Sequence, residues 1–184
     1  MFPGLERCLW LRLGQAGYAY DHCPDQPPRT PDLRRCAGCA DGRDDRGALD
    51  ARTGEMTVVP YCVADQLSTT DFLLTLHDRQ RDVKLTICWD NASWHTCRAV
   101  KALLAEINAG REPEDWIITC LNFAPHAPEQ NPIEEVWRQG KTDLRANPQN
   151  DATFEEFAAR FVARLDEQKF DFAKLALYGD VRMI

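Results

Sequence analysis

Two clusters in this sequence carry acids where a divalent metal could use them. The first is Trp89-Asp90-Asn91-Ala92-Ser93-Trp94-His95, which ends the short apolar run Lys84–Trp89. In open α/β sheets, ligands collect beyond the carboxyl ends of the strands, so an acid at that point is well placed for a metal. Asp90 could equally make a turn or cap the helix that follows. The second cluster is Asn131-Pro132-Ile133-Glu134-Glu135-Val136-Trp137. It also reads as an ordinary helix start, with Asn131 as N-cap, Pro132 in the first position and Glu134 in the third. Two carboxylates delivered by a strand end and a helix start suit Mg²⁺, which takes oxygen ligands and keeps several waters. Two such ions can clamp the attacking and leaving oxygens of a phosphoryl transfer.

Helix geometry separates the two glutamates. Ile133, Trp137, Gly140 and Leu144 share one stripe at helical spacing, so that stripe faces the core. At about 100° per residue, Glu134 lies at the edge of the stripe and Glu135 points away from it. Glu134 is therefore the acid expected to reach a site over the sheet. Lys141 lies on the same flank and Arg138 one turn on, where both could touch phosphates. An i,i+4 pair from Glu134 to Arg138 is the competing expectation.

The elements that must position these residues read as alternating strands and helices. Asp50–Gly54 is a turn signal, and Met56–Val63 reads as a strand with Pro60 marking an edge. Ser68 or Thr69 can cap a helix through Phe72, Leu73, Leu74 and Leu76. Lys84–Trp89 has the continuous apolar character of a buried parallel strand. A helix follows, with Ala99, Val100, Leu103, Leu104 and Ile107 on one face. Trp116–Leu121 reads as another buried strand. A helix from Ile133 to Asn147 comes after a proline-rich loop, and a last helix carries Phe154, Phe157, Phe161 and Leu165, capped near Asp151. This alternation implies an α/β domain with a partly parallel sheet.

The 184 residues suffice for one domain, and 44% hydrophobic with 28% charged residues is an ordinary globular balance. No apolar run is long enough to span a bilayer, and the start at Met1 lacks a signal-peptide pattern. A cytoplasmic protein with no membrane partner is expected. The net charge of −7 counts mildly against DNA binding, although another domain can carry most phosphate contacts. Of the eight cysteines, Cys62, Cys88, Cys97 and Cys120 sit in apolar stretches and read as reduced, buried small hydrophobes. The span Ala16–Arg46 is different in kind. Leu33 is its only residue from the set Leu, Ile, Val, Met and Phe, so it reads as a loop or as disordered.

With these residues in view, the sequence resembles the catalytic domain of mariner-like insertion-sequence transposases, members of the DDE superfamily of endonucleases. Trp89–His95 looks like their "DNA…H" motif. Asn122-Phe123-Ala124-Pro125-His126-Ala127-Pro128-Glu129-Gln130-Asn131-Pro132-Ile133-Glu134-Glu135-Val136-Trp137 looks like "LPPYSPxLNPIExxW", and Lys141 matches the lysine beyond the tryptophan. Asp90 and Glu134 stand somewhat farther apart than in the tightest family members, and Arg111–Asp115 looks like the insertion responsible. The resemblance runs from about Gly47 to Arg145. It implies an RNase H-like fold, a mixed sheet flanked by helices, and three acids holding two Mg²⁺ or Mn²⁺ ions. The implied chemistry is DNA strand cleavage at element ends followed by strand transfer into target DNA. Asp90 and Glu134 match the second and third acids; Asn91 and His95 match motif residues that could contact DNA, as could Arg138 and Lys141.

The chain departs from this pattern toward its start. Phe2–Gln15 resembles the part of the family sequence just downstream of the first acid, "PxLxxxWxxxGQ", so the first acid is expected before Met1 and the first strand incomplete. Residues 1–46 then form a degraded N-terminal segment, with Ala16–Arg46 translated from a shifted frame, and residues 47–184 the core with its C-terminal helix. Asp21, Asp44, Asp45 and Asp50 are the nearest alternative acids; Asp50 falls in a turn and the others lack strand context. Two other classes of function compete. His22, Cys23, Cys36 and Cys39 could form a zinc knuckle, a weak signal from one CxxC. A non-catalytic remnant or binding module could instead pair with an intact transposase or with itself.

Overall fold

The structure is a computed structural model that describes residues 6–13, 44–125, 130–146, 153–173 and 175. Five strands form one mixed sheet: β1 Glu6–Leu13, β2 Asp44–Asp50, β3 Met56–Tyr61, β4 Lys84–Trp89 and β5 Ile118–Asn122. Their order across the sheet is β3-β2-β1-β4-β5. The β3-β2-β1 half is antiparallel, whereas β4 runs parallel to both β1 and β5. Four α-helices join them: α1 Gln66–Arg79, α2 Arg98–Ile107, α3 Ile133–Ala146 and α4 Phe154–Glu167.

Strand alternation sends successive side chains to opposite faces of the sheet. On one face Ala48, Val59, Tyr61, Leu85, Ile87 and Trp89 pack with Phe72, Leu73 and Leu76 of α1 and Val100 of α2. On the other, Leu49, Met56, Val58 and Cys88 pack with Ile133, Val136 and Trp137 of α3 and Leu165 of α4. This is the expected mixed sheet flanked by helices. Asp90 follows Trp89, the last residue of β4, at the carboxyl end of that strand.

Two expectations about the chain's early part change. Glu6–Leu13 does not lie downstream of the first strand; it forms the central strand, with Trp10 beside both Leu49 and Cys88. The apolar, aromatic-rich run Cys8-Leu9-Trp10-Leu11 has the composition a buried strand needs, and β2 and β4 require a strand between them. Strand β2 also begins earlier than the composition suggests, at Asp44, so Asp44 and Asp45 do have strand context. Arg46 is fully buried there, donating to the Ser68 hydroxyl (2.6 Å) and the Asp65 carbonyl (3.1 Å) of the α1 start. Burial lowers its guanidinium to about 10. The proposed zinc ligands His22, Cys23, Cys36 and Cys39, and Asp21, lie outside the described residues.

Other elements follow their sequence signals with local corrections. The hairpin at Asp50 closes through Gly54 N–H to Asp50 O (2.9 Å). Gly54 has φ +69°, and a Cβ there would meet the Phe170 carbonyl oxygen, so only glycine fits. Its own carbonyl accepts from Phe170 N–H (2.8 Å), and Glu55 bridges to Lys169, which ties the chain after α4 back to the β2–β3 hairpin. Pro60 lies on β3, an edge strand, as expected. The cap of α1 is Asp65, with Ser68 completing a capping box, rather than Ser68 or Thr69. Helix α4 is capped by Thr153, not Asp151, and Phe157 is 41% exposed rather than core-facing. Strand β5 is an edge strand, not a fully buried one, and Leu121 is 44% exposed.

Free thiols remain at Cys62, Cys88, Cys97 and Cys120, of which Cys88 is buried and the others are partly so. Burial pushes the Cys120 thiol up to about 12. At pH 8 only about one thiol in ten thousand would then be thiolate, the reactive form. Iodoacetamide at pH 8 should leave Cys120 unmodified in the native chain and modify it in denaturant, read by peptide mass spectrometry. Rapid native labelling would contradict this.

Candidate active site

Asp90 follows β4 at the carboxyl end of the sheet, and its side chain is 58% exposed. Its Oδ1 accepts from Ala92 N–H (3.0 Å), so it does form the turn that Asp residues favour. The loop behind it is held by asparagines. Asn91 Nδ2 donates to the Phe123 carbonyl (2.8 Å), and Asn122 Nδ2 donates to Asn91 Oδ1 (2.9 Å). Asn91 thus fastens the end of β4 to the end of β5, a positional role that its place in the motif did not reveal.

His95 is buried at 3% exposure. Its ring stacks on Trp89 with centroids 4.5 Å apart and planes 3° from parallel, and Trp94 meets it edge-on. Nδ1 lies 2.9 Å from Asp90 Oδ1 and 3.0 Å from the Asp90 carbonyl oxygen. The expected DNA contact through His95 therefore gives way to a place behind Asp90. Stacking on Trp89, with Trp94 edge-on beside it, removes the ring from the surface where a phosphate could reach it.

Glu134 arrives on α3. Asn131 Oδ1 accepts from Ile133 N–H (3.2 Å), the predicted cap, and Pro132 follows it without an N–H to satisfy. Ile133, Val136, Trp137, Gly140 and Leu144 are buried, so the predicted stripe is correct and Val136 widens it. Two glycines let this helix approach closely. A Cβ on Gly47 would strike Trp137, and one on Gly140 would strike Leu165 and Phe161 of α4. Ile133 belongs to the core cluster that also holds Leu49 and Cys88, and α3 rests on β1 and β2. Glu134, at the edge of the stripe and half-buried, enters on the face of the sheet that α3 covers.

Arg138 pairs with Glu135 rather than with Glu134, through Nε to Oε2 at 2.8 Å, and this pairing raises its already high pKa. Gln139 also donates to Glu135 (2.9 Å). Glu135 is thus committed along its own helix. Arg138 and Lys141 are both exposed.

Among the described residues no third acid is supplied beside Asp90. The one acid of β1, Glu6, pairs with Lys84 at the start of β4, the opposite end from Asp90. From Leu9 to Leu13, the part of β1 that reaches the Asp90 end, no residue is acidic. Asp50 is buried with Oδ1 accepting from Arg52 N–H and Thr53 N–H. Asp44 shares the α1 face with Arg46 by strand alternation, and burial raises its pKa. Asp45 does lie on the α3 face, but it pairs with Pro60 and β1 separates it from β4. Among the described residues no three His, Cys, Asp or Glu side chains are grouped so as to hold one ion.

No curated protein sequence matches the chain. Among solved structures, the chain is similar to the Mos1 transposase catalytic domain with raltegravir and Mn, at 13% identity and TM-score 0.58, covering 94% of this chain and 78% of that one. The catalytic core domain of BIV integrase is similar at 15% identity and TM-score 0.54, covering 93% and 92%. The Mos1 strand transfer complex matches at 16% identity and TM-score 0.52, covering 89% of this chain but only 47% of that one, so the chain spans about half of that protein. The fold is therefore the RNase H-like fold of transposase and integrase catalytic domains. No helix among the described residues is long and apolar enough to cross a membrane. The sequence profile of the DDE superfamily endonuclease family matches residues 41–156, most of the chain and both acids, and the chain belongs to that family.

Proposed function

We propose that this chain is the catalytic core of a mariner-like insertion-sequence transposase, shaped for metal-dependent DNA strand cleavage and strand transfer, and that it is catalytically incomplete on its own. The observation that carries the reading is the family match over residues 41–156, which takes in Asp90 at the carboxyl end of β4 and Glu134 in the first turn of α3. The donor chemistry fits Mg²⁺ or Mn²⁺: two carboxylates, one of them largely exposed. Asp90 and Glu134 would hold the ion, and water would complete its shell. A bound ion supplies Lewis acidity at a phosphate oxygen. The residues themselves do the positioning. Asn91 fixes the β4–β5 end, α3 sets the approach of Glu134, and Lys141 with Arg138 offers exposed positive charge for the DNA backbone beside the acids.

DNA, as element ends and target, is the partner this reading requires, and the strand transfer complex of the similar Mos1 transposase agrees with it. The missing β1 acid also favours a second role, in which the chain associates with an intact transposase as a non-catalytic subunit. Mn²⁺ titration followed by electron paramagnetic resonance tests the site. The 184-residue chain should bind Mn²⁺ weakly, and Asp90→Ala and Glu134→Ala should each weaken binding by about tenfold or more. Binding unchanged in both variants would refute the assignment.

A further inference from the structure

The motif around Asp90 contains a buried histidine whose role the proposed chemistry leaves unassigned. Both atoms facing His95 Nδ1 are acceptors: the Asp90 carboxylate oxygen at 2.9 Å and the Asp90 carbonyl oxygen at 3.0 Å. Nδ1 must therefore carry the hydrogen. Nε2 is buried with no hydrogen-bond partner among the described residues. The Nδ1 edge is thus the working edge of this ring, and it is spent entirely on one residue. The ring cannot turn away, because Trp89 stacks on it in a nearly parallel plane and Trp94 abuts it edge-on. Trp89 is itself anchored in the core, 2% exposed at the end of β4. Rigidity therefore passes from the sheet to Trp89, to the imidazole, and from there to a carboxylate that is otherwise exposed on a loop.

Resting on the reading of Asp90 as a metal ligand, we propose that His95 is a positioning residue that fixes the Asp90 carboxylate, one oxygen held by Nδ1–H and the other presented to a divalent cation. An exposed aspartate samples several rotamers, and binding an ion must first select one. A donor locked from behind makes that selection in advance. It also fixes the backbone, since the same Nδ1–H faces the Asp90 carbonyl. Partners that orient metal-binding carboxylates typically contribute ten- to a hundredfold in metal affinity.

Two substitutions divide the roles of the ring. His95→Phe keeps the stacking surface and removes the donor. His95→Asn loses the stack but places an amide donor near the position of Nδ1. In Mn²⁺ titrations of the full chain, His95→Phe should bind about tenfold more weakly while unfolding near the wild-type midpoint. His95→Asn should recover most of the affinity despite lower stability, an order that a purely packing role would reverse. Wild-type affinity in His95→Phe, with binding lost in Asp90→Ala, would overturn the positioning role and leave the site intact. Binding unaffected in Asp90→Ala, or no Mn²⁺ uptake by the wild-type chain, would overturn the site and this role together. A ¹⁵N spectrum of the unmodified chain checks the inference without any variant. It should show the His95 ring protonated at Nδ1, and a ring protonated at Nε2 alone would sink it.

Discussion

Supercoiled plasmid incubated with the 184-residue chain and Mn²⁺ should remain supercoiled. A two-metal phosphoryl transfer needs an ion on each side of the scissile phosphate, and the part of β1 level with the Asp90 end offers no carboxylate that would help hold a second one. Asp90 and Glu134 can retain one weakly held ion. Losing the second forfeits several kcal/mol of transition-state stabilisation, a rate loss of about a thousandfold or more at roughly 1.4 kcal/mol per decade. Glu6 cannot compensate, because its partner Lys84 stands at the far end of β4, and five residues of rise separate Lys84 from Trp89. Metal-dependent nicking that disappears in Asp90→Ala would prove the chain complete. In that event Asp45, a described acid on the α3 face of β2, is the residue to replace next, and loss of nicking in Asp45→Ala would identify it as the substitute.

Replacing Trp137 by alanine should cost about 3–5 kcal/mol of stability, the range for removing a large buried aromatic side chain. The indole covers Gly47 on β2, leans on Phe161 of α4 with ring centroids 5.7 Å apart, and shares a cluster with Ile133 and Cys88. No neighbour can collapse into its place easily, because Gly47 has no side chain to offer. Urea denaturation should show a lower midpoint with an unchanged slope. Mn²⁺ affinity should fall as well, since Trp137 lies one turn from Glu134 and holds α3 against the sheet. A loss below about 1 kcal/mol would mean that α3 is not seated on β2 through this residue.

Legibility in the sequence varied with how local the physics is. Helix α3 could be read nearly to the residue, because Asn131, Pro132 and the 3–4 spacing of apolar positions act within one turn. Strand β4 was equally clear, and its parallel neighbours explain its unbroken apolar run. Strand β5 looked the same on paper but lies at an edge, since an apolar run does not state how many neighbours a strand has. The α1 cap was missed because Asp65-Gln66-Leu67-Ser68 precedes the apolar residues by a full turn, and serine served as the third residue of the box instead of its first. β1 was the largest miss. Motif alignment placed Glu6–Leu13 after the first strand, whereas pairing with two non-local strands decides what it becomes. At the site, the two acids were visible and their setting was not. Nothing in the spacing of His95 shows that it turns inward against two tryptophans, or that Arg138 chooses Glu135 over Glu134.

The bond from Phe170 N–H to the Gly54 carbonyl also bears on when this protein can fold. During synthesis, β1 emerges first and must wait for β2 and then β4, and the hairpin at Gly54 is not closed off until Phe170 has left the ribosome. Until then the face of the sheet that will meet α3 and α4 is open, with Leu49, Met56 and Val58 uncovered, the condition under which nascent chains engage chaperones or one another.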